Sequence, residues 1–175
     1  MLYIISGLSG SGKSTIAKLI SEKTGIENII QYTTRPIRPG EENGVDYNFI
    51  TDIEFECLDM LTKERFKVAG GDIWRYGLPT IDKDKNYITV LSPNSIKILE
   101  ENNVDFVDIL VKVNDDERFK RIFDRRDNQK LSEITRRELK DKEIFEKYVP
   151  KFEISNEEDV EKVVNKIIKK YLQIK

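Results

Sequence analysis

The chain contains no histidine and only one cysteine, Cys57, in 175 residues. A lone cysteine cannot form an internal disulfide or a thiolate metal site. The lack of histidine excludes Ser-His-Asp and Cys-His catalysis, together with every histidine-based zinc site. No apolar run reaches the length of about 18 residues that a membrane-spanning helix requires, and no charged-then-apolar leader opens the chain. We therefore expect a soluble, cytoplasmic protein without a membrane partner.

An excess of charge of one sign is also missing. The chain has 30 Lys and Arg residues against 32 Asp and Glu residues, which gives a formal net charge of −2. A near-neutral chain lacks the broad positive field that binds nucleic acids, so we expect no nucleic-acid partner. Any anionic ligand must then be held by local groups of cationic side chains. The length fits one domain, and no linker-like stretch divides residues 1–175.

Strands and helices alternate along the sequence, which is typical of an α/β fold with a mostly parallel core sheet. Residues 2–5 are almost wholly apolar, as in a central strand that is buried on both faces. The other predicted strands are residues 28–32, 66–69, 87–91, 107–113 and 151–154. The predicted helices, besides the one that starts near Lys13, are residues 52–63, 94–102, 115–125, 131–148 and 157–172.

A glycine-rich loop follows the first predicted strand. Residues 7–14 read G-L-S-G-S-G-K-S, which fits the phosphate-loop pattern G-x-x-x-x-G-K-[ST] at every fixed position. Glycines let successive backbone N–H groups turn toward phosphate oxygens, and the helix that follows adds its positive end. Lys13 can reach the β- and γ-phosphates, and the Ser14 hydroxyl can bind Mg²⁺. We therefore predict an ATP site formed by Gly7, Ser9, Gly10, Ser11, Gly12, Lys13, Ser14 and Thr15, with Ser14 as the metal ligand.

A second, polar segment covers residues 33–49. Arg35 and Arg38 are braced by prolines, so they can converge on one phosphate group, and Tyr47 offers a further donor. The same residues also fit a solvated basic turn. Further along, Arg121 and Arg125 are four residues apart and hence on one helix face. Either a salt-bridged surface helix or a cationic clamp on the transferred phosphoryl group explains that spacing.

The phosphate loop and the pattern T-T-R-x-x-R-x-G-E-x-x-G-x-x-Y-x-F at residues 33–49 together resemble the guanylate kinase family. The resemblance implies a P-loop kinase with a parallel-sheet core, a small nucleoside-monophosphate-binding subdomain and a helical lid. It implies a core at residues 1–32 and 80–175, an acceptor subdomain at 33–79 and a lid at about 125–135. It further implies that Arg35, Arg38, Tyr47 and Tyr76 hold the acceptor phosphate, that Lys13, Arg121, Arg125 and Arg137 are catalytic, and that Asn156 lines the adenine pocket.

The sequence departs from the family pattern where the acceptor base is read. The family places a glutamate after the phenylalanine of a short strand, whereas residues 66–69 read F-K-V-A, and the nearest acid is Glu64. Ser92 stands where the family has an aspartate, so no acidic partner for Mg²⁺ is identified. Lost hydrogen bonds to a buried base edge lower discrimination between bases.

These observations predict ATP-dependent phosphorylation of a nucleoside monophosphate, with GMP or dGMP as the expected acceptor and Mg²⁺ as the metal. Two alternatives remain open at this point. One is a kinase of another nucleotide or of a phosphorylated sugar on the same scaffold. The other is a non-catalytic binding module of the guanylate kinase type.

Overall fold

The computed structural model describes residues 1–68, 71–124 and 131–172, and for residues 131–133, 136 and 137 it describes the backbone alone. Nine strands and six helices follow one another in these ranges. The strands are β1 (Leu2–Ser6), β2 (Glu27–Asn28), β3 (Tyr32–Thr33), β4 (Asn48–Phe49), β5 (Met60–Lys67), β6 (Ile73–Pro79), β7 (Tyr87–Val90), β8 (Phe106–Lys112) and β9 (Phe152–Ser155). The helices are α1 (Lys13–Thr24), α2 (Asp52–Cys57), α3 (Pro93–Glu101), α4 (Asp115–Asp124), α5 (Leu131–Glu146) and α6 (Val160–Tyr171).

The core sheet has the order β2-β7-β1-β8-β9, and all its strand pairs are parallel. Every residue of β1 is buried, because β1 lies in the middle of the sheet with helices over both faces. Ile16 of α1 and Val164 of α6 belong to the apolar cluster on one face, and Ile96 of α3 belongs to the cluster on the other. The predicted α/β fold with a parallel core is therefore confirmed.

A second, four-stranded sheet has the order β4-β3-β6-β5. Its longest pair is the antiparallel hairpin of β5 and β6, in which Glu64 lies opposite Tyr76 and Phe66 lies opposite Trp74. Directly opposite residues of an antiparallel pair point to the same face of the sheet. The hairpin therefore brings an acid and three aromatic residues onto one face.

The predicted helix at residues 52–63 is wrong over its second half. Helix α2 starts with a capping box, in which the Thr51 side chain and Glu54 satisfy each other's backbone N–H groups, and it ends at Cys57. From Met60 the chain pairs with β6, so residues with an ambiguous local pattern become a strand through a distant partner. Of the predicted strand at residues 66–69, residues 66 and 67 form the end of β5, and residue 69 lies outside the described residues. The predicted strand at residues 28–32 is split, since β2 joins the core sheet and β3 joins the second sheet.

Strands β4 and β6 were not predicted, and the remaining elements agree with the prediction to within three residues at their ends. Helices α4 and α5 flank residues 125–130, so the predicted lid centre and Arg125 lie outside the described residues. Within the described residues, no helix is long and apolar enough to cross a membrane.

Candidate functional site

The glycine-rich loop connects β1 to α1 at the middle of the core sheet. Gly10 and Gly12 have φ angles of 82° and 92°, which L-residues with a side chain rarely adopt. Helix α1 begins at Lys13, and Gly12 caps it without a side-chain hydrogen bond. The first N–H groups of α1 therefore receive no side-chain cap from Gly12, which is the arrangement that binds anions at a helix N-terminus.

The predicted ATP-binding residues lie together in this loop. Lys13 is half-buried, and its Nζ donates a hydrogen bond to the Leu8 carbonyl oxygen at 2.9 Å. Ser14 and Thr15 are exposed at the start of α1. Mg²⁺ usually keeps several waters and is held by one or two protein ligands together with substrate phosphates, so the exposed Ser14 hydroxyl fits this ion. Among the described residues, no group of three or more acidic or cysteine side chains forms a separate metal site.

Asn156, which directly follows β9, and Arg121 of α4 support the phosphate loop. Asn156 is 3% exposed, and its Nδ2 donates to the Ser11 carbonyl oxygen at 2.8 Å. Arg121 Nη2 donates to the Asn156 carbonyl oxygen at 3.2 Å, and Arg121 Nε pairs with Glu117 at 3.0 Å. Both residues line a cavity of about 510 Å³ beside the loop, together with Gly10, Gly12, Thr15, Asp124, Glu158 and Val160.

Arg118 of α4 also supports the phosphate loop, although nothing in the sequence pattern singled it out. Its side chain is fully buried, and its Nη1 donates to the Ser9 carbonyl oxygen at 3.1 Å. The same guanidinium makes two hydrogen bonds, at 2.7 and 2.6 Å, to the carboxylate of Glu138 on α5. Asp141 Oδ2 accepts from the Ser9 N–H at 3.3 Å. The phosphate loop is thus attached to both helices that flank residues 125–130.

The polar segment at residues 33–49 contains a buried ion pair. Arg35 is 3% exposed, and its two Nη atoms donate to Glu41 at 2.9 and 2.8 Å. Glu41 also accepts from the Arg38 backbone N–H at 2.8 Å. Burial works against the Glu41 charge, but the hydrogen bonds from Arg35 and Arg38 outweigh it and lower the pKa of the Glu41 carboxyl. The segment is therefore a folded turn held by a buried ion pair, and the alternative of a merely solvated basic turn does not describe Arg35.

Two tyrosine rings lie beside this ion pair. The Arg35 guanidinium lies 5.4 Å from the centre of the Tyr47 ring, and the Tyr47 and Tyr76 rings are in edge contact at 5.7 Å. Burial raises the pKa of the Tyr47 phenol to about 12, so the hydroxyl is a hydrogen-bond donor at neutral pH. The structure thus brings Arg35, Tyr47 and Tyr76 into one cluster, with Arg38 at its edge, and their contact with an acceptor phosphate stays a prediction.

Glu64 joins this cluster from β5. It lies opposite Tyr76 in the hairpin, and it is 8% exposed. The Ser92 hydroxyl donates to Glu64 Oε1 at 2.6 Å, and the Ser95 hydroxyl donates to the same oxygen. The family pattern, with a glutamate after a phenylalanine, pointed to residues 66–69, which contain no acid. The alternation of buried residues at Thr62 and Glu64 would have identified it once β5 was recognised as a strand.

Two predicted site residues have no described side-chain position. Arg125 lies outside the described residues, and for Arg137, on α5, only the backbone is described. Their proposed contact with a transferred phosphoryl group stays a prediction.

Comparison with known proteins identifies guanylate kinases as similar to part of this chain. The family model named guanylate kinase matches residues 1–71. The guanylate kinase of Mannheimia succiniciproducens is 42% identical over 88 residues, which cover 47% of this chain and 42% of that protein. The guanylate kinase of Fusobacterium nucleatum is 56% identical over 55 residues, which cover 31% of this chain and 30% of that protein. The matched segments thus span less than half the length of these curated relatives.

Comparison of structures extends over nearly the whole chain. A guanylate kinase from Anaplasma phagocytophilum superposes with a TM-score of 0.66 at 24% identity, covering 95% of this chain and 81% of that one. A sugar kinase from Janibacter superposes with a TM-score of 0.54 at 14% identity, covering 96% of this chain and 92% of that one. At these identities the likeness shows the fold, and it confirms the predicted P-loop kinase architecture. Residues 1–71 are therefore similar to guanylate kinases in sequence, and nearly the whole chain shares the fold of a guanylate kinase.

Proposed function

We propose that this protein transfers the γ-phosphoryl group of ATP to GMP or dGMP, giving ADP and GDP or dGDP. The observation that carries the proposal is that residues 1–71, which match the guanylate kinase model, hold both a phosphate loop and the cluster of Arg35, Tyr47 and Glu64. A donor-phosphate site and an acceptor site are both needed for such a transfer. ATP and GMP are cytoplasmic metabolites, so we also infer a cytoplasmic location.

The donor side would be formed by the loop between β1 and α1. Backbone N–H groups at the start of α1 would bind phosphate oxygens, and Lys13 would move from the Leu8 carbonyl to the β- and γ-phosphates. A magnesium ion carried in with ATP would be held by the Ser14 hydroxyl and phosphate oxygens, and would neutralise charge on those phosphates. Arg121 borders the cavity beside the loop, which supports a role on the nucleotide. Arg125 and Arg137 would add positive charge from the lid.

The acceptor side would use the second sheet. Arg35, Arg38, Tyr47 and Tyr76 would donate hydrogen bonds to the phosphate of the monophosphate, which then attacks the γ-phosphorus in line. A phosphate oxygen of the acceptor forms the new P–O bond, the bond to ADP breaks, and ADP leaves with the electron pair. No covalent enzyme intermediate is needed, because the residues act by positioning and by neutralising charge.

The base would be read by Glu64. A buried carboxylate accepts hydrogen bonds, and guanine presents two neighbouring N–H donors, at N1 and at the 2-amino group. Adenine presents an acceptor at N1, which a carboxylate repels. Glu64 therefore supports guanine as the base, although the acid does not stand at the residues where the sequence pattern placed it.

The test of this function is a panel of acceptors. ADP release is measured with GMP, dGMP, AMP, CMP, UMP and dTMP, and with phosphorylated sugars, at fixed ATP. We expect GMP or dGMP to give the highest kcat/KM. A higher value for another acceptor would replace the guanylate assignment with that substrate, and inactivity with every acceptor despite ATP binding would favour a non-catalytic module.

Removing one phosphate donor should weaken all acceptors alike. Tyr47→Phe removes the hydroxyl group that would donate to the acceptor phosphate, and it keeps the ring that touches Tyr76. A hydrogen bond to a charged group contributes roughly 1.5–3 kcal/mol, so the acceptor KM should rise about tenfold or more.

The measurement is a set of initial rates with GMP and dGMP for Tyr47→Phe and for Tyr87→Phe. Tyr87 is a buried tyrosine of β7 in the core sheet, and its variant controls for the loss of a phenol as such. A normal acceptor KM in Tyr47→Phe, or a change confined to the KM for ATP, would contradict the assigned contact.

A further inference from the structure

A small polar cluster joins the two sheets at the start of α3. Ser92 is the N-cap of α3, and its hydroxyl oxygen accepts from the Ser95 backbone N–H at 3.1 Å. The Ser92 hydroxyl donates in turn to Glu64 Oε1 on β5 at 2.6 Å. Ser95, which is 1% exposed, donates its own hydroxyl to the same oxygen. One carboxylate oxygen of Glu64 is thus held by two hydroxyls from one helix turn.

The other carboxylate oxygen of Glu64, Oε2, lacks such hydrogen bonds. Glu64 Oε2 is buried and has no hydrogen-bond partner among the described residues. A carboxylate oxygen has two lone pairs, so both acceptor positions of Oε1 are filled and both of Oε2 are open. A buried acceptor without a partner destabilises the folded protein, and this cost is recovered only when a donor arrives. This asymmetry points to a ligand donor at Oε2.

The direction of the Ser92 hydrogen bond is set by the helix cap. Because its oxygen accepts from the Ser95 N–H, the Ser92 hydroxyl hydrogen is available to Glu64. Helix α3 follows directly on β7 of the core sheet, whereas Glu64 belongs to the second sheet. The two serines therefore fix the carboxylate of the second sheet relative to the core.

We propose that Ser92 and Ser95 are positioning residues, which hold Glu64 so that Oε2 faces the N–H donors of the acceptor base. The proposal rests on the proposed function, and it adds how that site selects its base. Two hydroxyls on Oε1 stop the carboxylate from turning, and a fixed acceptor discriminates between base edges better than a mobile one. Ser92 and Ser95 do not touch the substrate, so they act through Glu64 alone.

The test compares GMP with inosine monophosphate, which keeps the N1–H donor and lacks the 2-amino group. Wild-type protein should prefer GMP in kcat/KM by at least about tenfold, because the lost donor leaves Oε2 less satisfied. In Ser95→Ala the KM for GMP should rise about tenfold, with kcat and the KM for ATP within about twofold of wild type. The preference for GMP over inosine monophosphate should fall toward one.

Three further single variants and one double variant separate positioning from general loss of stability. Ser95→Thr keeps a hydroxyl at the same position and should keep the preference for GMP. Thr89→Val removes another fully buried hydroxyl, which donates to the Ile29 carbonyl at 3.0 Å, and should leave the preference unchanged. Glu64→Gln should abolish the preference, and adding Ser95→Ala to it should change nothing more, since the two residues act as one unit.

The outcomes distinguish this inference from the proposed function. If wild-type protein does not phosphorylate GMP, the proposed function fails. If it does, and Ser95→Ala keeps the wild-type preference, the positioning role is wrong and the function stands. Additive effects of Ser95→Ala and Glu64→Gln on the preference would also overturn it.

Discussion

Replacing Lys13 by alanine should reduce kcat about 10³-fold while leaving the protein folded, because one ammonium group would stabilise charge on the transferred phosphoryl group. Lys13 is placed at the first residue of α1, and its ammonium lies within 2.9 Å of the Leu8 carbonyl oxygen, inside the phosphate loop. The exchange leaves the glycines that shape the loop unchanged. The expected effect is therefore on the reaction and only weakly on folding.

The measurement combines steady-state kinetics with thermal unfolding for Lys13→Ala and for Lys18→Ala. Lys18 lies on the same helix, and its side chain is 69% exposed and paired only with Glu22 at 4.0 Å in the described part of the chain. Its removal should leave kcat unchanged. Turnover close to wild type in Lys13→Ala, with a normal unfolding temperature, would show that Lys13 has no part in the transfer.

Replacing Arg118 by methionine should lower the free energy of unfolding by about 3–5 kcal/mol, which is the usual cost of leaving a buried charge without its partner. The Arg118 side chain is fully buried, and Glu138 is 9% exposed. In the variant, the described partner that remains for Glu138 is Lys142 at 3.3 Å. The Ser9 carbonyl also loses a donor, so the KM for ATP should rise as the phosphate loop loosens.

The stability difference should depend on pH. The hydrogen bonds from Arg118 lower the pKa of the Glu138 carboxyl below its ordinary value. A group with a lowered pKa in the folded protein stabilises it at pH values above its unfolded pKa, and this contribution is lost as the pH falls through the folded pKa. The gap between wild type and Arg118→Met should therefore be largest at neutral pH and shrink below about pH 4.

Urea unfolding at several pH values measures this gap. Lys166→Met, which breaks an exposed pair with Glu158 at 2.8 Å, serves as the control and should cost less than about 1 kcal/mol. The double variant Arg118→Met/Glu138→Leu should recover part of the loss, because it also removes the buried carboxylate that has lost Arg118. A loss in Arg118→Met as small as the control's would mean that the buried pair does not stabilise the fold.

The local pattern of residues in the sequence was enough to predict the phosphate loop. Residues 2–14 pass from a strand through glycines to a helix with fixed spacing, and each step is dictated by neighbours in sequence. The glycines at 10 and 12 adopt positive φ angles, as the loop requires. The pairing of Arg35 and Tyr47 was also predictable, because both lie in one short, proline-braced segment.

The prediction was wrong at β5, because this strand forms through pairing with residues distant in sequence. Residues 60–63 were assigned to a helix, since nothing within a few residues reveals that β6 will pair with them. With β5 misassigned, Glu64 could not be placed opposite Tyr76, and the acceptor carboxylate was sought at residues 66–69. Arg118 was missed for a related reason, because an arginine on a charged helix is usually exposed.

The sequence by itself determined the α/β architecture, the phosphate loop and the arginine and tyrosine side chains of the acceptor segment, because these follow from contacts between near neighbours. The tertiary structure alone decided which carboxylate lies beside Tyr76 and which arginine supports the phosphate loop. Glu64 meets Ser92 across 28 residues, and Arg118 meets Ser9 across 109 residues. Whether such groups are buried together depends on how sheets and helices pack, which no local pattern of side chains encodes.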